Sequence, residues 1–297
     1  MKYLLFLIVL LSSFSISRAE KPVLVASIFP LADIAREVAG NDLKVRLLLP
    51  PGADPHSWEP TPADLLTLQK ARFLFAVGGG LEPWLEDLLS GLKAKNLKII
   101  LVLKRKSPPH KNHHHHEDPH VWLDFPVDAR LCQLLARNLA EAFPEKASSF
   151  LKRGEEAAQK YEELHLLFAR TLKSCRYQLV PLAGHDAFRA WEKNYGLRFI
   201  SLAGLSPEAE PTPQSLHRVI TLMRKFKIPA IFYDEPQALK FARLIARETG
   251  AQIYYLTPGA SLTREEIQKG LRFRQLMLEN LKRLSLGLRC SGLPGQI

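Results

Sequence analysis

Three short stretches of the chain carry side chains that could do metal chemistry. His56 lies in PPGADPHSWEPTP (50–62), His120 in EDPHVWLD (117–124) and His185 in LAGHDAF (182–188), each among turn-forming residues, and two of the three directly follow Asp-Pro. A neutral imidazole suits Zn²⁺, which takes histidine nitrogens at about 2.0–2.1 Å in tetrahedral geometry. Each ligating ring then needs its second nitrogen fixed by an acceptor; Asp124, Asp186 and Glu59 are the candidates near in sequence. One histidine in a loop ordinarily makes a single hydrogen bond and nothing more. Three at equivalent loop positions point instead to a shared cation. His165 and His217 fall within helical patterns and are read as ordinary histidines.

A second feature overlaps the first. SPPHKNHHHHEDPHVWLD (107–124) places six of the ten histidines of the chain inside eleven positions. His120 is expected to belong to the shared site. His110 and His113, His114, His115 and His116 are expected on a loop, 104–118, that has two prolines and no apolar residue near the tract and cannot build a core. That tract could bind zinc weakly and hand it to the main site or sense it; the plainer alternative is a solubilising spacer.

Histidines this far apart in sequence need a scaffold that brings loops together. From Val23 onward, β-rich runs alternate with helical segments: VLVASI (23–28), LKVRLLL (43–49), RFLFAV (72–77) and LKIILVL (97–103), then YQLVPLA (177–183), LRFISL (197–202), AIFY (230–233) and QIYYL (252–256). Helices are expected from about Leu31, Thr61 and Glu82, with Thr61 as N-cap and Pro62 at the first helical position. Strand and helix in alternation imply parallel sheets, and ligands of such sheets bind in the crevice beyond the carboxyl ends of the strands. His56 and His185 each follow a strand directly, and His120 precedes the helix that leaves the first half.

Between the two halves, segments 126–142 and 146–173 read as helical. As one rod the second would extend about 42 Å, enough to bridge two lobes; a break near Gly154 is the alternative. The expected architecture is therefore α/β, with two parallel-sheet lobes joined by one long rigid helix: an amino-terminal lobe over 20–143, a linking helix over 144–174 and a carboxy-terminal lobe over 175–297. An echo between the halves agrees with two related lobes, since Thr61-Pro62, FLFAV and Glu82-Pro83 recur in order as Thr212-Pro213, AIFY and Glu235-Pro236.

Bulk properties narrow the setting. Residues 1–19, MKYLLFLIVLLSSFSISRA, have the form of a cleaved export signal: Lys2, an apolar run too short to span a bilayer, then Ser17 and Ala19. No cysteine lies near the cut, so the product is expected to be free outside the cytoplasm. Without Lys2 and Arg18 the formal charge falls from +11 to +9. The remaining cations are scattered among acids, as in LKRGEEAAQKYEEL (151–164), which is the pattern of a solvated face; no nucleic-acid partner is expected. Cys132, Cys175 and Cys290 are too few for a disulfide scaffold or a cysteine zinc site. An oxidising compartment would permit one bridge, for which Cys175 with Cys290 is the choice because Cys132 falls in a helix, although spacing does not settle the pairing.

Taken in order, GADPHSWEPTP, DPHVWLD, GHDAF and FYDEP, with an export signal ahead and a histidine tract before the second motif, resemble the metal-binding receptors of bacterial ABC importers, specifically the high-affinity zinc-uptake class of the cluster A-I family. The resemblance covers nearly the whole mature chain. It implies a monomeric periplasmic receptor that holds Zn²⁺ between its lobes on His56, His120 and His185 and delivers it to a membrane permease. Receptors that resemble manganese importers usually carry a carboxylate at the His185 position, whereas three imidazoles favour Zn²⁺. One departure stands out: the family often has an acid in LDP after the last strand, and this chain has LTP, with Thr257 in that place. The fourth position would then fall to water, a tract histidine or an acid such as Glu235. Alternative functions are a manganese receptor of the same family, a periplasmic zinc buffer or adhesin, and a zinc hydrolase. The last is disfavoured because the chain has no H-E-x-x-H helix, nucleophile elbow or phosphate loop.

Overall fold

The computed structural model describes residues 20–92, 96–103, 118–204 and 211–291. The expected export signal, His110 and the tract His113–His116 lie outside the described residues. In chain order the first half is β1 (Val23–Ala26), α1 (Phe29–Ala39), β2 (Lys44–Leu47), α2 (Pro62–Gln69), β3 (Phe73–Gly78), α3 (Leu85–Gly91) and β4 (Lys98–Leu103). Helices α4 (Phe125–Ala142) and α5 (Ala147–Lys173) follow. The second half is β5 (Leu179–Ala183), α6 (Arg189–Tyr195), β6 (Arg198–Ser201), α7 (Pro213–Phe226), β7 (Ala230–Tyr233), α8 (Leu239–Thr249), β8 (Gln252–Tyr255), α9 (Arg264–Gln268) and α10 (Phe273–Leu288). Each strand falls on a run read from the sequence, whereas the helix expected from Glu82 begins only at Leu85.

Among the described residues the strands form two four-stranded sheets, in orders β2-β1-β3-β4 and β6-β5-β7-β8, and every pairing is parallel. The two orders are the same topology repeated. The sequence echo falls on equivalent places in both: Thr61 and Thr212 are the N-caps of α2 and α7, and Glu82 and Glu235 follow β3 and β7.

Each sheet is buried on both faces because successive residues of a strand point to opposite sides. Leu24, Ala26, Phe73 and Phe75 enter a central core, while Val25, Leu74 and Ala76 pack outward with Leu68 of α2 and Leu85 of α3. The second sheet repeats this, with Val180, Leu182 and Phe232 facing the centre and Ile231 facing α7 and α8 through Val219 and Ile245.

The central core is continuous through both halves and includes Phe29, Phe125, Tyr161, Phe168, Trp191 and Phe273, all fully buried or nearly so. Helix α5 runs unbroken through Gly154. A Cβ at that position would collide with the Ala136 Cβ of α4, so the glycine permits close helix packing and marks no break. Cys175, just past α5, is disulfide-bonded to Cys290, just past α10, and Cys132 is free and buried. Among the described residues no helix is long and apolar enough to cross a membrane.

Candidate metal centre

His56 sits in the loop after β2 and His185 in the loop after β5, at the carboxyl ends of parallel strands, and His120 lies between β4 and α4 in the chain. Two of these loops come from the first sheet and one from the second. The DPH sequences explain the local shape. In each, the Asp side chain accepts the backbone N–H of the histidine two residues on: Asp54 Oδ1 from His56 at 3.0 Å and Asp118 Oδ1 from His120 at 3.1 Å. The intervening proline has no N–H to compete for that carboxylate and fixes φ.

The rings converge. His120 Nε2 lies 3.3 Å from His56 Nε2 and 3.3 Å from His185 Nε2, and one ring nitrogen from each of the three lies within 4.8 Å of the others. A tetrahedral ion bonded at about 2.0–2.1 Å sets its donors about 3.3–3.4 Å apart. The observed separation matches that edge.

The opposite side of two rings is held by acids. His120 Nδ1 is 2.8 Å from Asp118 Oδ1, and His185 Nδ1 is 2.6 Å from Asp234 Oδ2. The Asp118 carboxylate favours a proton on Nδ1 of His120, and the Asp234 charge does the same at His185, which turns the Nε2 lone pairs toward the common point. Lone pairs facing each other at this distance repel, so the cluster is one that a cation relieves. Asp234 reaches its place because residue 184 is glycine: any Cβ there would collide with Asp234 Oδ1. The same carboxylate also accepts the His185 backbone N–H at 3.1 Å.

The expected acceptors are therefore corrected. Asp124 accepts from Asn194 Nδ2 at 3.0 Å and Asp186 pairs with Arg189 at 2.6 Å, while Asp118 and Asp234 hold the rings. Asp118 is part of the DPH motif itself and was legible from the twin Asp54 turn. Asp234 comes from the loop after β7, 49 residues from His185.

Burial grades the trio. His120 and His185 are 1% and 3% exposed, and His56 is intermediate. Burial, followed by the neighbouring His120 charge, pushes the His56 pKa down to about 4, which leaves it neutral and ready to ligate at neutral pH. At His185 burial pulls downward, but the Asp234 hydrogen bond and charge together outweigh it and the pKa is raised. Glu235 is driven up to about 7, by burial first and by Asp234 next. It lies 3.9 Å from His185 Nδ1, on the cavity wall and outside the converging trio.

A cavity of about 440 Å³ opens over the three rings and is lined also by Asp54, Glu235, Tyr255, Thr257 and Glu266. Thr257 lines this cavity and is buried. Its Oγ1 accepts the Gly259 N–H at 3.0 Å, and buried Asn280 of α10 clamps its backbone from both sides at 3.1 and 2.7 Å. Of the two histidines read as ordinary, His165 contacts the Tyr195 hydroxyl at 3.2 Å, and neither belongs to the trio.

The chain is 30% identical over 275 residues to the zinc-binding lipoprotein AdcA of Streptococcus pneumoniae (strain ATCC BAA-255 / R6), a match covering 88% of this chain and 54% of that protein. It is 27% identical over 281 residues to the high-affinity zinc uptake system protein ZnuA of Bacillus subtilis (strain 168), covering 90% of this chain and 88% of that one. The crystal structure of the Zn(II)-bound ZnuA-like domain of Streptococcus pneumoniae AdcA matches with a TM-score of 0.77 at 28% identity, over 90% of this chain and 99% of that domain. The chain spans about half the length of the streptococcal AdcA proteins it matches. The family model for ZnuA, described as zinc-uptake complex component A, periplasmic, matches residues 24–287, and with the histidine trio in place between two parallel sheets the chain belongs to that family.

Proposed function

We propose that this protein is an extracytoplasmic receptor that captures Zn²⁺ on His56, His120 and His185 and delivers it to the membrane permease of an ABC-type importer. The observation that carries the reading is the 3.3 Å spacing of the Nε2 atoms, with Nδ1 of two rings held by Asp118 and Asp234. Three imidazoles favour zinc over manganese, which prefers oxygen donors.

In this reading residues 20–143 and 175–297 form the two lobes and 144–174 the linking helix. The protein acts as a monomer, is not an enzyme, and carries the ion as cargo. The zinc-binding and zinc-uptake names of its relatives support this reading. His113 to His116, a few residues before His120 in sequence, would bind zinc weakly and hand it to the main site.

Metal content and zinc-against-manganese competition on the mature protein test the proposal. The expected result is one tightly held zinc that equimolar manganese does not displace, and loss of most of that affinity in His185→Ala. Displacement by equimolar manganese would assign the site to another metal.

A further inference from the structure

The loop after β8, where a fourth ligand could have come from, is used to hold the other half of the molecule. Within six residues it makes bonds to three separate segments of the first half. Pro258 O accepts the Trp122 indole N–H at 2.8 Å, two residues beyond His120. Ala260 O accepts the Phe29 N–H at 2.9 Å, and Leu262 O accepts the Gly52 N–H at 3.0 Å. The Ser261 hydroxyl bridges two backbone groups of the His56 loop: it accepts from Gly52 N at 3.0 Å and donates to Pro50 O at 3.2 Å.

The three ligands are not held alike. His120 and His185 are buried, and a carboxylate sits against Nδ1 of each. His56 is half-buried, and among the described residues no acid lies within ion-pair distance of its ring. Its position depends on its loop, a turn from Pro50 to Ala53 followed by a turn from Asp54 to Trp58. The Ser261 hydroxyl ties the first of those turns to the opposite lobe. Gly52 is exposed, so water competes for these bonds and they can open without disturbing the continuous core.

We propose that Ser261 is a positioning residue for His56: its hydroxyl clips the Pro50–Ala53 turn to the second lobe, and zinc leaves the site by opening of that clip, with His56 the first ligand released. This rests on the zinc-receptor reading and specifies how that receptor lets go. Ser261 does not touch the ion, so removing its hydroxyl should change release much more than capture.

The test is stopped-flow transfer of zinc to excess chelator from full-length mature protein carrying one equivalent of zinc. Ser261→Ala is expected to release zinc about two- to tenfold faster, the range that losing one modest hydrogen bond gives, since the Gly52 N–H keeps Leu262 O as its other acceptor. Its association rate and the melting temperature of its metal-free form should match those of the wild type, and Ser261→Thr should restore slow release. Gly52→Ala is a second route to the same end: nothing lies within 4 Å of an added Cβ, but φ there is +75°, so the change strains the turn and should speed release by more than its loss of metal-free stability accounts for. Unchanged release in both alanine variants would overturn the proposal, as would faster release that merely follows loss of metal-free stability. A wild-type protein that retains no zinc would remove the receptor reading itself, and the first measurement shows this before any variant is made.

Discussion

At the scale of single residues, the site is a set of lone pairs aimed by carboxylates. Asp118 and Asp234 lie against Nδ1 of their rings, on the side away from the point where the Nε2 atoms converge. Replacing such an acceptor commonly costs about 10- to 100-fold in metal affinity. Asp118→Asn and Asp234→Asn are expected to fall in that range in competition titrations, since each carboxylate also holds the backbone N–H of its histidine. Affinities within twofold of wild type would show that the acids are not orienting the rings. The three converging histidines were legible in the sequence, since turn residues surround them, two directly follow strands and the third precedes a helix. The Asp234 contact was not, because sequence proximity favoured Asp186 and only the pairing of β5 with β7 brings residue 234 beside 185.

At the scale of elements, alternation of β-rich and helical runs was enough to predict both parallel sheets, and Thr61-Pro62 and Thr212-Pro213 marked helix starts that the structure contains. The sequence left α5 open to a break at Gly154. Helix packing decides the matter, because the close approach of α4 requires a residue without a side chain there. The same stack of helices contains an unusual group. Asp128 of α4 is fully buried, and neither of its carboxylate oxygens has a hydrogen-bond partner among the described residues. Burial first, and the Asp124 charge second, raise its pKa well above the ordinary 3.8. The folded protein therefore keeps Asp128 protonated where the unfolded chain has ionised it. That contribution to stability is complete below the unfolded pKa and declines as pH rises toward the folded value. Asp128→Asn cannot ionise, so the stability difference should move in favour of the variant by about 1.4 kcal/mol per pH unit above roughly pH 5, until Asp128 itself titrates. Urea unfolding of both metal-free proteins at pH 5, 6, 7 and 8 checks this; a difference independent of pH would mean that the acid is satisfied in solution.

At the scale of the whole molecule, the notable property is that two sheets share one core. Besides the continuous apolar interior, Trp191 Nε1 donates to Leu123 O at 2.8 Å, and Arg272 of the second half pairs with buried Asp33 and with Glu37 of α1. A large hinge motion between the two halves would have to break these contacts. No sequence pattern announces this, because it depends on long-range contacts between halves that look self-contained when read along the chain.

The central claim is that one ion sits where the three Nε2 atoms meet. Crystals of the mature protein grown with a single equivalent of zinc, with an anomalous difference map recorded at the zinc edge, test it most directly. The predicted result is one dominant peak in the cleft, about 2.0–2.1 Å from Nε2 of His56, His120 and His185. A dominant peak elsewhere, with the three rings unliganded, would contradict it.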